Sequence, residues 1–132
     1  MTNSSNLIDS LEVYVLNNPE EVTPHWVSHF IVPTANELLI KIKNKDGNSG
    51  FGLATSYTDI SPLVKPFSNG IADLIIGEDP FSPEKLYEKI FKLTDTRISS
   101  EKGWSREALI RISAALDIAC WDLMGKASNI PL

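Results

Sequence analysis

Ala108-Leu-Ile-Arg-Ile-Ser-Ala-Ala-Leu-Asp-Ile-Ala-Cys-Trp-Asp-Leu-Met-Gly125-Lys126 is the stretch that decides how this chain folds. Leu109, Ile112, Leu116, Ala119 and Leu123 recur at spacings of three and four, which aligns them on one face of an α-helix. A second row, Ile110, Ala114 and Trp121 with Asp117 among them, is nearly as apolar. Between Ile112 and Trp121 only Ser113 and Asp117 are polar. A helix that is apolar most of the way round is normally buried on both sides. This one therefore needs one body beneath it and another above it. Glu107 with Arg111, and Asp122 with Lys126, stand four residues apart at its two ends with the acid first, the better order for an ion pair.

The residues upstream supply one of those bodies. In Glu37 to Asn44, Leu38, Ile40 and Ile42 alternate with Lys41 and Lys43, which predicts a half-buried strand. Asp46-Gly47 follows as a hairpin signal, because the turn needs positive φ. Gly50 to Ser56 returns as the partner strand, and Leu7 to Leu16, with Leu11, Val13 and Val15 on one side, is a third. The expected sheet is an antiparallel meander with one apolar face and one wet face on the lysine side. Between the first two strands, the segment from Asn17 to about Asn36 reads as irregular, although it carries His25, Trp26, His29 and Phe30. Ser61-Pro62 and Ser82-Pro83-Glu84 are helix starts. The first helix is expected to reach Ile75 or Ile76, with Pro66 and Gly70 working against it. The second carries Leu86, Tyr87, Ile90 and Phe91 as its apolar stripe. Asp95 to Gly103 reads as a polar loop. Strands followed by about three helices give the class α+β, with helices on one face of the sheet.

The chain of 132 residues has 42% hydrophobic and 22% charged residues, the balance of one globular domain. Met1 to Asn6 is polar and is read as a disordered start with no features of a signal peptide; residues 7–132 form the domain. A net charge of −5 argues against nucleic acid as a partner, and no apolar run is long enough to span a bilayer. The lone cysteine, Cys120, cannot form an internal disulfide, and the expected location is the cytoplasm.

Chemistry-bearing patterns are sparse. Gly50-Phe-Gly52 lacks the third glycine of a dinucleotide fingerprint and follows a hairpin instead of opening a βαβ helix, so its glycines read as close-packing positions. His25 and His29 have helical metal-pair spacing without an adjacent glutamate or a completing cluster, and read as a loop pair. Asp117 and Asp122 point in different directions on a helix. Asp122 is explained by Lys126, and Asp117 is expected to play a structural hydrogen-bonding part. Cys120 has no positive neighbour within a turn and reads as a small core residue.

Ser113-Ala-Ala-Leu-Asp117-Ile-Ala-Cys-Trp121-Asp122-Leu-Met-Gly125-Lys126, followed after four residues by Pro131-Leu132, resembles the signature closing the N-terminal domain of the mandelate racemase and muconate lactonizing enzyme family, within the enolase superfamily. The Asp46-Gly47 turn with Gly50-x-Gly52, Ile76-Gly-Glu-Asp-Pro80 and Gly103-Trp104 resemble other pieces of that domain in order and spacing. The resemblance implies an α+β capping domain over a modified TIM barrel, with the 108–126 helix packed against the barrel. It implies chemistry at the barrel strands: a lysine or histidine base takes the proton α to a carboxylate, and acids bind Mg²⁺ that stabilises the enediolate. None of those residues would be in this chain, which is read as the front part of something larger and as inactive alone. Lys41 and Lys43 receive no catalytic part.

What the resemblance gives the cap is substrate selection by two loops, here about Asn18 to Ile31 and about Thr55 to Ile60, which close over the barrel mouth. Tyr57 and Thr58 resemble the tyrosine-bearing loop of mandelate racemase. In the first loop His25 and Trp26 are the candidate contacts, with Trp26 either lining the site or packing locally. The expected substrate is a small carboxylate, a sugar acid, and the expected reaction a dehydration. A racemase or cycloisomerase of the same family, or a stand-alone non-catalytic α+β interaction module, are the alternatives. A homo-oligomer is expected.

Overall fold

Alternation in Leu38-Leu-Ile40-Lys-Ile42 is what a central strand with one buried side requires, and these three residues are fully buried. The computed structural model describes residues 5–17, 25–32 and 36–132. Of the start expected to be disordered, residues 1–6, the first four lie outside the described residues, while Ser5 donates to the Asp46 carboxylate at 2.9 Å and accepts at its carbonyl from the Lys45 N–H at 3.2 Å. The main sheet holds β1 (Ile8–Leu16), β4 (Asn36–Asn44) and β5 (Ser49–Ser56) in the order β1-β4-β5, all antiparallel. Gly47 takes φ +89° in the turn between β4 and β5, as the Asp-Gly signal predicts. At the start of β1, Ile8 exchanges backbone bonds with the segment 77–78: its N–H donates to the Glu78 carbonyl at 2.9 Å and its carbonyl accepts from Gly77 at 2.8 Å.

The segment read as irregular contains a second, small sheet. β2 (His25–Val27) and β3 (Phe30–Val32) form a hairpin in register Trp26↔Ile31, with Ser28 at φ +47° in the turn. Residues 18–24 and 33–35, on either side of it, lie outside the described residues.

The helices are α1 (Ser61–Ser68), α2 (Pro83–Phe91), α3 (Thr96–Lys102) and α4 (Arg106–Ser128), with 3₁₀ turns at Ala72–Leu74 and Lys92–Thr94. Two expectations need correcting. α1 does not reach Ile75, because Gly70 adopts φ +93° and the chain turns before resuming as a 3₁₀ turn. The stretch from Asp95 to Gly103 is not a loop. Asp95 accepts from the Arg97 N–H as the N-cap of α3, and Gly103 ends it in the left-handed region at φ +63°.

α4 lies across β5 and β4, with α2 and α1 beside it. Leu109, Ile112, Leu116, Ala119 and Leu123 are buried to 1% exposure or less, together with Ile71, Ile75 and Ile90, and Leu86 is 2% exposed. The glycines of β5 set how close α4 can come. A Cβ at Gly50 would collide with the Ala119 carbonyl oxygen, and one at Gly52 with that of Ala115. The second apolar row is a different matter: Ile110 is 41% exposed and Trp121 47%, Ala114 is exposed, and Ile118, outside the row read from the sequence, is 54% exposed on the same side. Among the described residues nothing covers that side of α4.

The outer face of the sheet is less wet than its lysines suggest. Tyr14, Leu39 and Leu53 stand opposite one another across the three strands, and Phe51 adjoins Leu53's row beside Lys41. Lys41 pairs with Glu12 at 3.4 Å, and the Tyr14 hydroxyl also donates to the Glu12 carboxylate. These bonds, Tyr14 first, hold the Glu12 carboxyl below the usual carboxylate range.

Candidate functional site

Register fixes which loops are neighbours. β1 ends at Leu16 opposite Glu37, and β4 begins at Asn36 opposite Ser56, the last residue of β5. The segments bearing Trp26 and Tyr57 therefore leave the sheet at the same end. α4 runs antiparallel to β5. An Arg111 N–H donates to the Thr55 carbonyl, and the Phe51 N–H donates to Asp122 Oδ2 at 2.9 Å, so the first turns of α4 also lie at this end.

Tyr57 is 39% exposed, and the Arg111 guanidinium carbon sits 5.7 Å from the centre of its ring. Thr58 is exposed, and the segment is held through its backbone. Its carbonyl accepts from Asn36 Nδ2 at 2.8 Å, and its N–H donates to Ser56 Oγ at 3.4 Å. Ser56 Oγ in turn donates to the Asp59 carbonyl at 3.0 Å. The Asp59 carboxylate accepts from the Ser61 N–H at 3.1 Å and its hydroxyl at 2.9 Å, and these bonds hold its carboxyl below the ordinary range. A cavity of about 250 Å³ opens here, lined by Ser56, Thr58, Asp59, Glu107 and Arg111 among others.

Trp26 is 73% exposed, with Ile31 as its cross-strand partner at 47%. At that exposure it is not a packing anchor within this chain. Of His25 only the backbone, paired with Val32, is described. The strand ends that lead to the Trp26 hairpin and to Tyr57 and Thr58 thus lie at one end of the sheet, and the polar contacts that fix the Tyr57 segment include those of Asn36 and Arg111. Sequence reading misses both. Arg111 shows only its (i, i+4) relation to Glu107, and Asn36 shows only its place at the edge of a strand.

Other candidates fall away. Burial first, then the Asp117 and Asp79 charges, push the Cys120 thiol up to about 12, far from a nucleophile's range. The hydrogen bond expected of Asp117 is not seen among the described residues; its side chain is partly exposed on the uncovered side of α4, where water reaches it. Asp122 does more than pair with Lys126 at 2.5 Å, since it also caps the Phe51 N–H on the free edge of β5. Among the described residues no group of three or more histidines, cysteines or acids could hold a metal ion, so the donor set for Mg²⁺ is not met by them. No described helix is long and apolar enough to cross a membrane.

Comparison with known proteins agrees with the fold. A sequence profile of the mandelate racemase / muconate lactonizing enzyme N-terminal domain matches residues 10–132. The L-talarate/galactarate dehydratase of Salmonella typhimurium is 30% identical over 95 residues, covering 72% of this chain and 22% of that protein. The D-gluconate/D-galactonate dehydratase of Picrophilus torridus is 29% identical over 125 residues, covering 95% of this chain and 28% of that protein. The chain thus spans less than a third of the length of these relatives. A crystal structure of a mandelate racemase/muconate lactonizing enzyme superposes with TM-score 0.76 at 20% identity, over 95% of this chain and 33% of that one, a likeness of fold. With the profile matched along nearly its whole length, the chain belongs to the mandelate racemase / muconate lactonizing enzyme family, whose N-terminal α+β domain it carries.

Proposed function

We propose that this chain is the substrate-selecting cap of a Mg²⁺-dependent enzyme that removes the proton α to a carboxylate, and that the enzyme is a sugar-acid dehydratase. The observation that carries the reading is the shared end of the sheet, from which the segments of Trp26 and Tyr57 both depart with their aromatic rings exposed. Relatives named as dehydratases of talarate, galactarate, gluconate and galactonate support the substrate class. The base and the metal ligands belong to a barrel domain outside these residues, and no step of the chemistry runs through the cap. What its residues do is bind and exclude water. Tyr57 offers a ring face and a hydroxyl, and Trp26 an aromatic wall, to the distal part of a hydroxylated acid. His25 and Thr58 are proposed to share that role. The uncovered row of Ile110, Ile118 and Trp121 is the side that receives the barrel.

The test is Tyr57→Phe in the protein that joins this domain to its barrel. The ring stays and the hydroxyl goes, so KM or the preference between D-galactonate and galactarate should change. Exchange of the α proton with deuterated solvent should persist, because the base is elsewhere. Loss of exchange with an intact fold would place Tyr57 in the chemistry and end this reading of the cap.

A further inference from the structure

We infer that Arg111 is a positioning residue for substrate selection: it fastens the Thr55 carbonyl and the Tyr57 ring to α4, so the ring is held in place before any ligand arrives. Its use in selection rests on the capping role proposed above; the ordering of the segment does not.

The geometry is two-pronged. One guanidinium N–H donates to the Thr55 carbonyl, and Nη2 donates to Glu107 Oε1 at 2.7 Å, one turn back on the same helix. The carbon between them lies 5.7 Å from the Tyr57 ring centre. A single planar cation thus grips the chain at residue 55 by a bond and at residue 57 by its ring, with Ser56 between. An arginine fork can span the carbonyl and the carboxylate at once, whereas a lysine ammonium is a point charge that cannot. The Arg111 side chain is 33% exposed, so its attraction to the ring is less diluted by water than at an open surface site. The same side chain walls the cavity against Ser56, Thr58 and Asp59. An ordinary helix ion pair with Glu107 would explain one of these contacts. It would not explain a bond to a strand 56 residues away, or the ring.

The experiment is nuclear magnetic resonance on the isotope-labelled 132-residue chain without substrate. In the unsubstituted chain, the backbone order parameter at Tyr57 should sit near 0.85; in Arg111→Ala it should fall below about 0.6, the flexible range, while Thr58 and Asp59 keep their own bonds to Asn36, Ser56 and Ser61. The Tyr57 ring resonances should move towards free-chain values, while amide exchange through Leu38 to Ile42 stays slow. Arg111→Lys should rescue only in part. Tyr57 staying ordered in Arg111→Ala, or complete rescue by lysine, overturns the inference. Should Arg111→Ala not fold, Tyr57→Leu gives the reciprocal reading: the Arg111 Nε–H resonance must lose its ring-current shift, and an unmoved resonance overturns the inference equally.

With no substrate present, failure here leaves the capping role standing. In the protein that includes the barrel, Arg111→Ala should then raise KM for D-galactonate by about tenfold with kcat nearly unchanged. An unchanged KM removes the selective part of the inference. An unsubstituted protein that turns over no sugar acid removes the capping role instead, and leaves the ordering result intact.

Discussion

At the scale of single residues, Asp59 shows how an exposed side chain can still govern a turn. Its carboxylate takes both the N–H and the hydroxyl of Ser61, closing the loop that follows Tyr57. Because those bonds favour the charged form, its folded pKa is lowered, and the stabilisation is present above the unfolded value and lost as pH falls through the folded one. Asp59→Asn should therefore be less stable than the unsubstituted chain at neutral pH. The gap should close on acidification below about pH 4, where an unperturbed aspartate protonates. Thermal unfolding of both chains at several pH values checks this, and a gap independent of pH would show that the charge is irrelevant. Legibility at this scale was uneven. Cys120 and Leu116 declare themselves by helical period alone, since burial is what the period encodes. Tyr57 was found only through resemblance, because nothing in a tyrosine after a strand specifies a site. Arg111 and Asn36 could not be found at all. Their partners, Thr55 and Thr58, are backbone carbonyls brought near by the fold, and a carbonyl leaves no mark in a sequence.

At the scale of elements, β5 and α4 form the central unit, and glycine makes it possible. Placing a Cβ at residue 52 drives it into the Ala115 backbone, which cannot step aside as a flexible side chain could. Gly52→Ala should destabilise the domain by about 3 kcal/mol or more, towards the upper end of overpacking effects, or prevent folding. Chemical denaturation measures it, and a loss below about 0.5 kcal/mol, the scale of an ordinary surface change, would mean α4 can move away without penalty. The elements with a long period were legible: β1, β4 and α4 each repeat their apolar positions often enough to identify themselves, and β5 followed from the Asp46-Gly47 turn that returns the chain beside β4. The hairpin of β2 and β3 was not, because three-residue strands contain too little alternation to register. α3 escaped for another reason. Thr-Arg-Ile-Ser-Ser-Glu-Lys has no apolar stripe, and its helix is set by the Asp95 cap and the Gly103 stop. Both signals were in the sequence, yet without periodicity between them they looked like a loop.

At the scale of the whole molecule, the exposed row of α4 is the largest discrepancy between what the chain offers and what it covers. Ile110, Ile118 and Trp121 are between 41% and 54% exposed on a helix whose other side is sealed. The 132-residue chain should accordingly bind a hydrophobic dye in its folded state, with Trp121→Lys reducing the signal at unchanged helicity. Dye fluorescence no higher than that of an ordinary globular protein would count against an uncovered docking side. The apolar rows predict burial on both sides of this helix; the structure seals one row and leaves Ile110, Ile118 and Trp121 exposed. A barrel as the covering body is implied by resemblance alone, not by the rows themselves.

The bond from the Phe51 N–H to Asp122 spans 71 residues of sequence. During synthesis at about 5–20 residues per second, the free edge of β5 therefore waits roughly 4–14 s before the helix that caps it has been made. For that interval the nascent sheet is a bare template for strand addition. Until α4 has been made, the bond that closes this edge at Phe51 has no acceptor.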